Sequence, residues 1–159
     1  MKHLYTVLAI SMLSALPAAH AQLSFGGQPR GLVKNAGLPE VPVHVMPAVD
    51  AAVLLAEDEQ RALAGIKGPY RFGSNHATDL SMENSGVWHT LANGDRVWRL
   101  GIQCPGAYSI NFEFHDYVVP EGAEVFVYNE SGDVLGSFNA QSNPGQTGLG
   151  VTQLAGDRI

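Results

Sequence analysis

Residues 86–114, GVWHTLANGDRVWRLGIQCPGAYSINFEF, alternate apolar and polar side chains on both sides of an Asn-Gly pair. Asn93-Gly94 readily takes the positive φ angles of a type I′ turn, so GVWHTL and DRVWRLGIQ are expected to form the two arms of a hairpin. In the second arm Trp98, Leu100 and Ile102 fall on one face, and Arg99 and Gln103 on the other. Pro105-Gly106 breaks the run. AYSINFEF then places Tyr108, Ile110, Phe112 and Phe114 inward and Ser109, Asn111 and Glu113 outward, the pattern of a strand with one solvated face.

The same spacing continues downstream. PEGA reads as a turn, AEVFVYN as a strand, and ESGD as a further turn into VLGSFNA. Short strands separated by turn residues predict an all-β fold, an antiparallel β-sandwich or jelly roll. Upstream, residues 22–49 are dense in Pro and Gly with no sustained period and read as an extended leader. After it, residues 50–68 predict a short helix capped by Asp50. Val53, Leu54 and Leu63 lie near one face, Glu57, Asp58 and Glu59 on the other, and Gly65 or Gly68 ends it. The predicted organisation is a signal peptide over 1–21, an extended leader with a short helix over 22–68, and a β-sandwich domain over 69–159. A Gly-Asp turn followed by Arg158 and Ile159 looks like the start of another strand, so the domain is expected to be truncated at its C-terminal end.

The first residues carry an export signal. A cationic start at Lys2 precedes an apolar run, and Ala19 and Ala21 supply small residues that place cleavage between Ala21 and Gln22. The product is expected to be secreted, periplasmic or held at the cell surface, with no membrane span after signal removal. Eight Lys and Arg then remain against fifteen Asp and Glu, a balance that argues against nucleic acid as a partner. A single cysteine in an exported chain cannot build an internal disulfide. Cys104 is either a small buried apolar residue or a half of an intermolecular or interdomain disulfide.

Chemistry is harder to assemble. His76, His89 and His115 are the candidate bases, but no serine sits in a G-x-S-x-G elbow, and His115 and Asp116 are strand neighbours that face opposite ways. The histidines lack zinc-ligand spacing, and Glu57–Glu59 resembles no calcium loop. No catalytic residue, metal ligand or cofactor site is therefore assigned. Trp88, Trp98, Tyr108 and Tyr128 raise a sugar-stacking platform as an alternative. Trp98 and Tyr108 share faces with core residues, which leaves Trp88 as the candidate platform and a glycan as the candidate ligand. Asn129-Glu130-Ser131 matches a glycosylation sequon and marks an exposed turn.

Four motifs in order carry a resemblance. Trp88 to Leu91 with Asn93 to Leu100 fits W-x-x-L-x-N-G-D-R-x-W-R-L; Pro105 to Asn111 fits P-G-A-x-S-I-N; Pro120 to Asn129 fits P-E-G-A-x-x-x-x-Y-N; and the chain closes on AGDRI. Together with PYRFGSN they resemble the N-terminal region of secreted bacterial serine endopeptidases of the lysyl endopeptidase type, over roughly residues 69–159. The resemblance implies a non-catalytic pro-region or accessory domain, which assists folding or inhibits before processing. It also implies a trypsin-like peptidase domain downstream in the same precursor, as both hydrolase and partner. The family's His, Asp and Ser triad has no matching positions here. The alternative is a carbohydrate- or cell-surface-binding β-sandwich module.

Overall fold

The computed structural model describes residues 23–33 and 37–159; the signal segment and the cleavage point between Ala21 and Gln22 lie outside them. Among the described residues the fold is mostly strands with one short α-helix. The strands are β1 (Val43–Val45), β2 (Val87–Thr90), β3 (Arg96–Arg99), β4 (Gly101–Gln103), β5 (Ser109–Phe114), β6 (Val125–Tyr128), β7 (Val134–Phe138) and β8 (Leu149–Ala155), and the helix is α1 (Ala51–Leu63). They pair two by two: β1 with β4 in parallel, and β2 with β3, β5 with β8 and β6 with β7 antiparallel.

The Asn-Gly hairpin forms, with a different turn from the one expected. Leu91 N–H donates to Asp95 O (2.8 Å) and Gly94 N–H to Leu91 O (2.9 Å). Only Gly94 takes a positive φ, at 91°, whereas a type I′ turn would need Asn93 there as well. The loop thus has three residues, a type I turn followed by a left-handed glycine. NESGD builds the same loop between β6 and β7: Asn129 N–H donates to Asp133 O, Gly132 N–H to Asn129 O, and Gly132 sits at φ 89°.

Two further expectations need correction. DRVWRLGIQ is not one strand: it breaks at Leu100 into β3 and β4, which belong to different sheets. Tyr108 is not inward. It precedes β5 and is 95% exposed, while Ile110 is buried and Phe112 and Phe114 are half-buried. These three face Leu154, Val151 and Leu149 across the β5–β8 ladder. The spacing between Leu154 and Val151 breaks strict alternation, and a register shift between Ile110 and Phe112 absorbs the extra residue so that both stay on the inner face.

The core forms where the two ribbons meet. Val127 on β6 clusters with Val151 and Leu154 on β8, and Phe112, Phe114, Leu135 and Ile159 pack around them. Leu149 is wholly buried. Beside this contact Asn129 is only 3% exposed, so the acceptor residue of the sequon is buried although Glu130 and Ser131 are exposed. Its Nδ2 donates to Asp133 Oδ2 (2.8 Å) and to Ala155 O (2.9 Å), and its Oδ1 accepts from Asp133 N–H (2.8 Å).

The segment read as a leader holds a 3-10 turn at Arg30–Leu32 and strand β1, and it is tied to the other strands by backbone bonds. Phe25 N–H donates to Ser137 O and Ser137 N–H to Gly26 O, both at 3.0 Å. Further on, Gly101 N–H donates to Pro42 O and Met46 N–H to Gln103 O, each at 2.8 Å, on either side of the β1–β4 pairing. The other edge of β4 takes residues 157–159, through Ile102 N–H to Ile159 O and Cys104 N–H to Asp157 O. Helix α1 is capped as expected, with Asp50 Oδ1 accepting from the amides of Ala52 and Val53. Its apolar residues find no core, since none is buried and Leu63 is 81% exposed.

Asn129→Ala is expected to lower stability by about 2 kcal/mol, because it leaves Ala155 O and Asp133 N–H without their partner. Urea unfolding measures this, and a change under about 0.5 kcal/mol would show that the network contributes little. The intact mass of the folded protein should carry no glycan at Asn129.

Candidate functional site

The Trp88 candidate sits on the β2–β3 hairpin. The register puts Trp88 directly opposite Trp98, so both indoles share one face of the ribbon. They are held differently. Trp98 is half-buried, and its Nε1–H donates to Ser85 O at 2.8 Å. Gly86 lets that ring approach, since a Cβ there would come within 2.6 Å of Trp98 Nε1 and of Arg99 O. Trp88 is 43% exposed, and its Nε1–H donates to Met82 O at 3.1 Å. The Arg96 guanidinium lies over the Trp88 ring, 4.4 Å from the centroid. A sugar stacks on an open ring face, and this contact covers one of the two with a cation already attracted to it. Trp88 is therefore a partly exposed aromatic with Arg96 over its ring, and Tyr108 lies outside the β2–β3 hairpin.

Cys104 follows β4 and is half-buried and unbridged. Burial, and after it the negative charge of Asp157, push its thiol up from the ordinary 9.0. Both causes disfavour the thiolate, which is the species that attacks a disulfide or an electrophile. Cys104 is thus half-buried with its thiolate disfavoured.

The candidate bases do not assemble. His76 and His89 are half-buried in a loop and in β2, and His115 is exposed just beyond β5. Among the described residues no hydrogen bond joins a histidine to a carboxylate or a serine, and no group of three His, Cys, Asp or Glu side chains is arranged to hold a metal ion. Among the described residues, too, no helix is long and apolar enough to cross a membrane. His115 and Asp116 lie in a bend rather than on a strand, and Asp116 takes a left-handed φ of 51°.

A cavity of about 180 Å³ opens between Tyr117–Val119 and the loop of Asn139, Asn143 and Gln146. The sequence reading missed it, because nothing in the local pattern brings residue 117 to the 139–146 loop. Tyr117 N–H donates to Thr147 O (2.6 Å), which fixes that approach. The ring is half-buried and tilted against Phe114, while the hydroxyl is out of reach of solvent and has no hydrogen-bond partner. Burial pushes this phenol up to about 12. No family model and no solved structure matches the chain.

Two titrations check these environments. Alkylation of Cys104 by iodoacetamide should be slower in the folded than in the urea-unfolded chain at every pH below 9, with its midpoint displaced upward. A folded midpoint at or below the unfolded one would contradict the buried, acid-flanked setting. For Tyr117 the folded state favours the neutral phenol, so stability present below pH 10 should fall as pH rises towards 12. Tyr117→Phe should remove that alkaline loss and cost nothing at neutral pH. A neutral-pH loss above about 1 kcal/mol would mean the hydroxyl has a partner.

Proposed function

We propose that this chain is the non-catalytic pro-region or accessory N-terminal domain of an exported trypsin-like serine endopeptidase, whose proteolysis is performed by a downstream domain. The observation that carries this reading is the ordered run of motifs over Trp88–Leu100, Pro105–Asn111 and Pro120–Asn129, followed by AGDRI. The export signal read over residues 1–21 and the lack of any matching triad position support it. In this reading the domain is secreted, periplasmic or at the cell surface, and it helps the peptidase fold or blocks it until processing. We further infer a sandwich-type arrangement, in which the β6–β7 and β5–β8 ribbons are its two facing layers. The packing of Val127 on Val151 and Leu154 favours this.

The second reading is a carbohydrate- or cell-surface-binding module, and the 43% exposure of Trp88 is what favours it. Arg96 over that ring weighs against it.

The test is to express the downstream region with and without residues 22–159, and to add the separate domain back to active peptidase. A folding aid gives more active peptidase when the domain is present; an inhibitor lowers activity when added in trans. Equal yield together with unchanged activity would overturn the reading. Glycan binding that Trp88→Ala abolishes would select the second one.

A further inference from the structure

The edge of β7 is covered by the chain's own leader, and the way it is covered is specific. Four backbone bonds hold residues 23–26: Leu23 N–H to Ser142 O (3.1 Å), Phe25 N–H to Ser137 O (3.0 Å), Gly26 N–H to Gly136 O (3.1 Å) and Ser137 N–H to Gly26 O (3.0 Å). Ser24 Oγ adds a bond to Gly136 O at 2.6 Å. The leader then crosses the side chains of β6. A Cβ on Gly27 would lie 3.3 Å from Phe126 Cζ, Pro29 is buried, and a Cβ on Gly31 would overlap the Tyr128 hydroxyl. A strand added to an open edge, with backbone bonds for affinity and selected positions for specificity, is how extended peptides are recognised by sheets. The small residues here act as the recognition elements: Tyr128 leaves no room for a Cβ at Gly31, and Gly27 lies tight against Phe126 at a φ of 116°.

The attachment is also shallow. Leu23 and Phe25 are each 50% exposed, and Pro29 is the one buried residue between 23 and 33. With a single buried residue and five hydrogen bonds holding it, this segment belongs to the low end of local stability. It would also uncover Gly136 O, Ser137 N–H, Ser137 O and Ser142 O, a row of backbone groups that seeks another strand.

We propose that the β7 edge and the Phe126–Tyr128 face form a peptide-binding groove, whose ligand is an extended segment patterned as Ser24-x-x-Gly27-x-Pro29-x-Gly31, and that the leader is its separable intramolecular occupant. The proposal stands apart from the peptidase reading, since it concerns binding within this chain alone. The same groove accepts the pattern in trans whenever its own leader is displaced, and a second copy of the chain carries that pattern.

The test uses the whole chain and a fluorescent peptide of residues 23–33. Gly31→Val in the chain removes the fit against Tyr128 and frees the groove. The wild-type peptide should bind this variant saturably, and bind the wild-type chain about tenfold or more weakly, because the tethered leader competes at a millimolar-scale effective concentration. A peptide carrying Gly31→Val should bind neither. Absence of binding to the folded variant, or equal binding to both chains, overturns the proposal. Should Gly31→Val fail to fold, Phe25→Pro replaces it, since it removes one strand bond and leaves the Tyr128 contact alone. Hydrogen exchange on the wild-type chain gives an independent outcome: Phe25, Gly26 and Ser137 amides should be protected, yet exchange faster than the β5–β8 ladder. Unprotected amides mean the leader is not docked, and protection equal to that ladder means it is not separable; either result overturns the proposal.

Discussion

Val127 on β6 meets Val151 and Leu154 on β8, and on that contact the rest of the chain depends. Each named sheet has two strands, and an isolated two-stranded ribbon is marginal in water. With a single, unbridged cysteine the chain has no internal disulfide to compensate. Burying each of these side chains contributes about 1.5–3 kcal/mol, whereas a typical internal hydrogen bond contributes about 1 kcal/mol net. The apolar contact therefore supplies most of the stability at this junction, and Asn129 supplies its alignment. The Asn129 amide reaches Ala155 O on β8 from the loop that closes β6 and β7, so a slip of one ribbon against the other would strand a buried amide.

Away from this junction the fold is held by edges. Two stretches of leader and the last three residues lie against β7 and β4 through backbone bonds, which turns pairs of strands into wider local sheets. Helix α1 is the exception. It has a sound N-cap and no buried residue, and the segment that returns from it is joined by Arg71 to Glu57 (3.0 Å) and Asp58 (3.4 Å). Exposed ion pairs of this kind contribute between zero and about 1 kcal/mol. Stability is accordingly uneven along the chain, highest around Leu149 and Val151 and lowest in α1 and the first leader segment.

What the sequence revealed follows the same division. Where side chains alternate between core and solvent, the reading succeeded: Ile110, Phe112 and Phe114 share the inner face of β5, β6 and β7 fall where AEVFVYN and VLGSFNA place them, and Asp50 caps α1. It failed where a contact has no side-chain period. β8 escaped notice because its bulge shifts the apolar positions from 149 and 151 to 154. Leader pairing escaped because backbone bonds leave no pattern in composition. The arm ending at Gln103 reads as continuous in sequence although a break at Leu100 changes the partner strand. At the candidate site, Trp88 remained once Trp98 and Tyr108 were placed on core faces, but Arg96 over its ring went unseen. Cross-strand geometry places Arg96 there, being opposite Thr90 and diagonal to Trp88.

The motifs behind the resemblance also have a structural character of their own. N-G-D closes the β2–β3 loop with Gly94 N–H on Leu91 O, P-G-A turns with Ala107 N–H on Cys104 O, and P-E-G-A turns with Ala123 N–H on Pro120 O. These three pieces thus sit at chain reversals, other fixed residues lie on β3 and β5, and the tryptophans and Tyr128 face other parts of the same fold: Arg96, Ser85 O and Gly31. Residues of this kind specify a backbone path and its packing. A likeness resting on them is a likeness of the domain as a body. Beyond the paired strands, the backbone contacts of this body lie along the edges of β7 and β4.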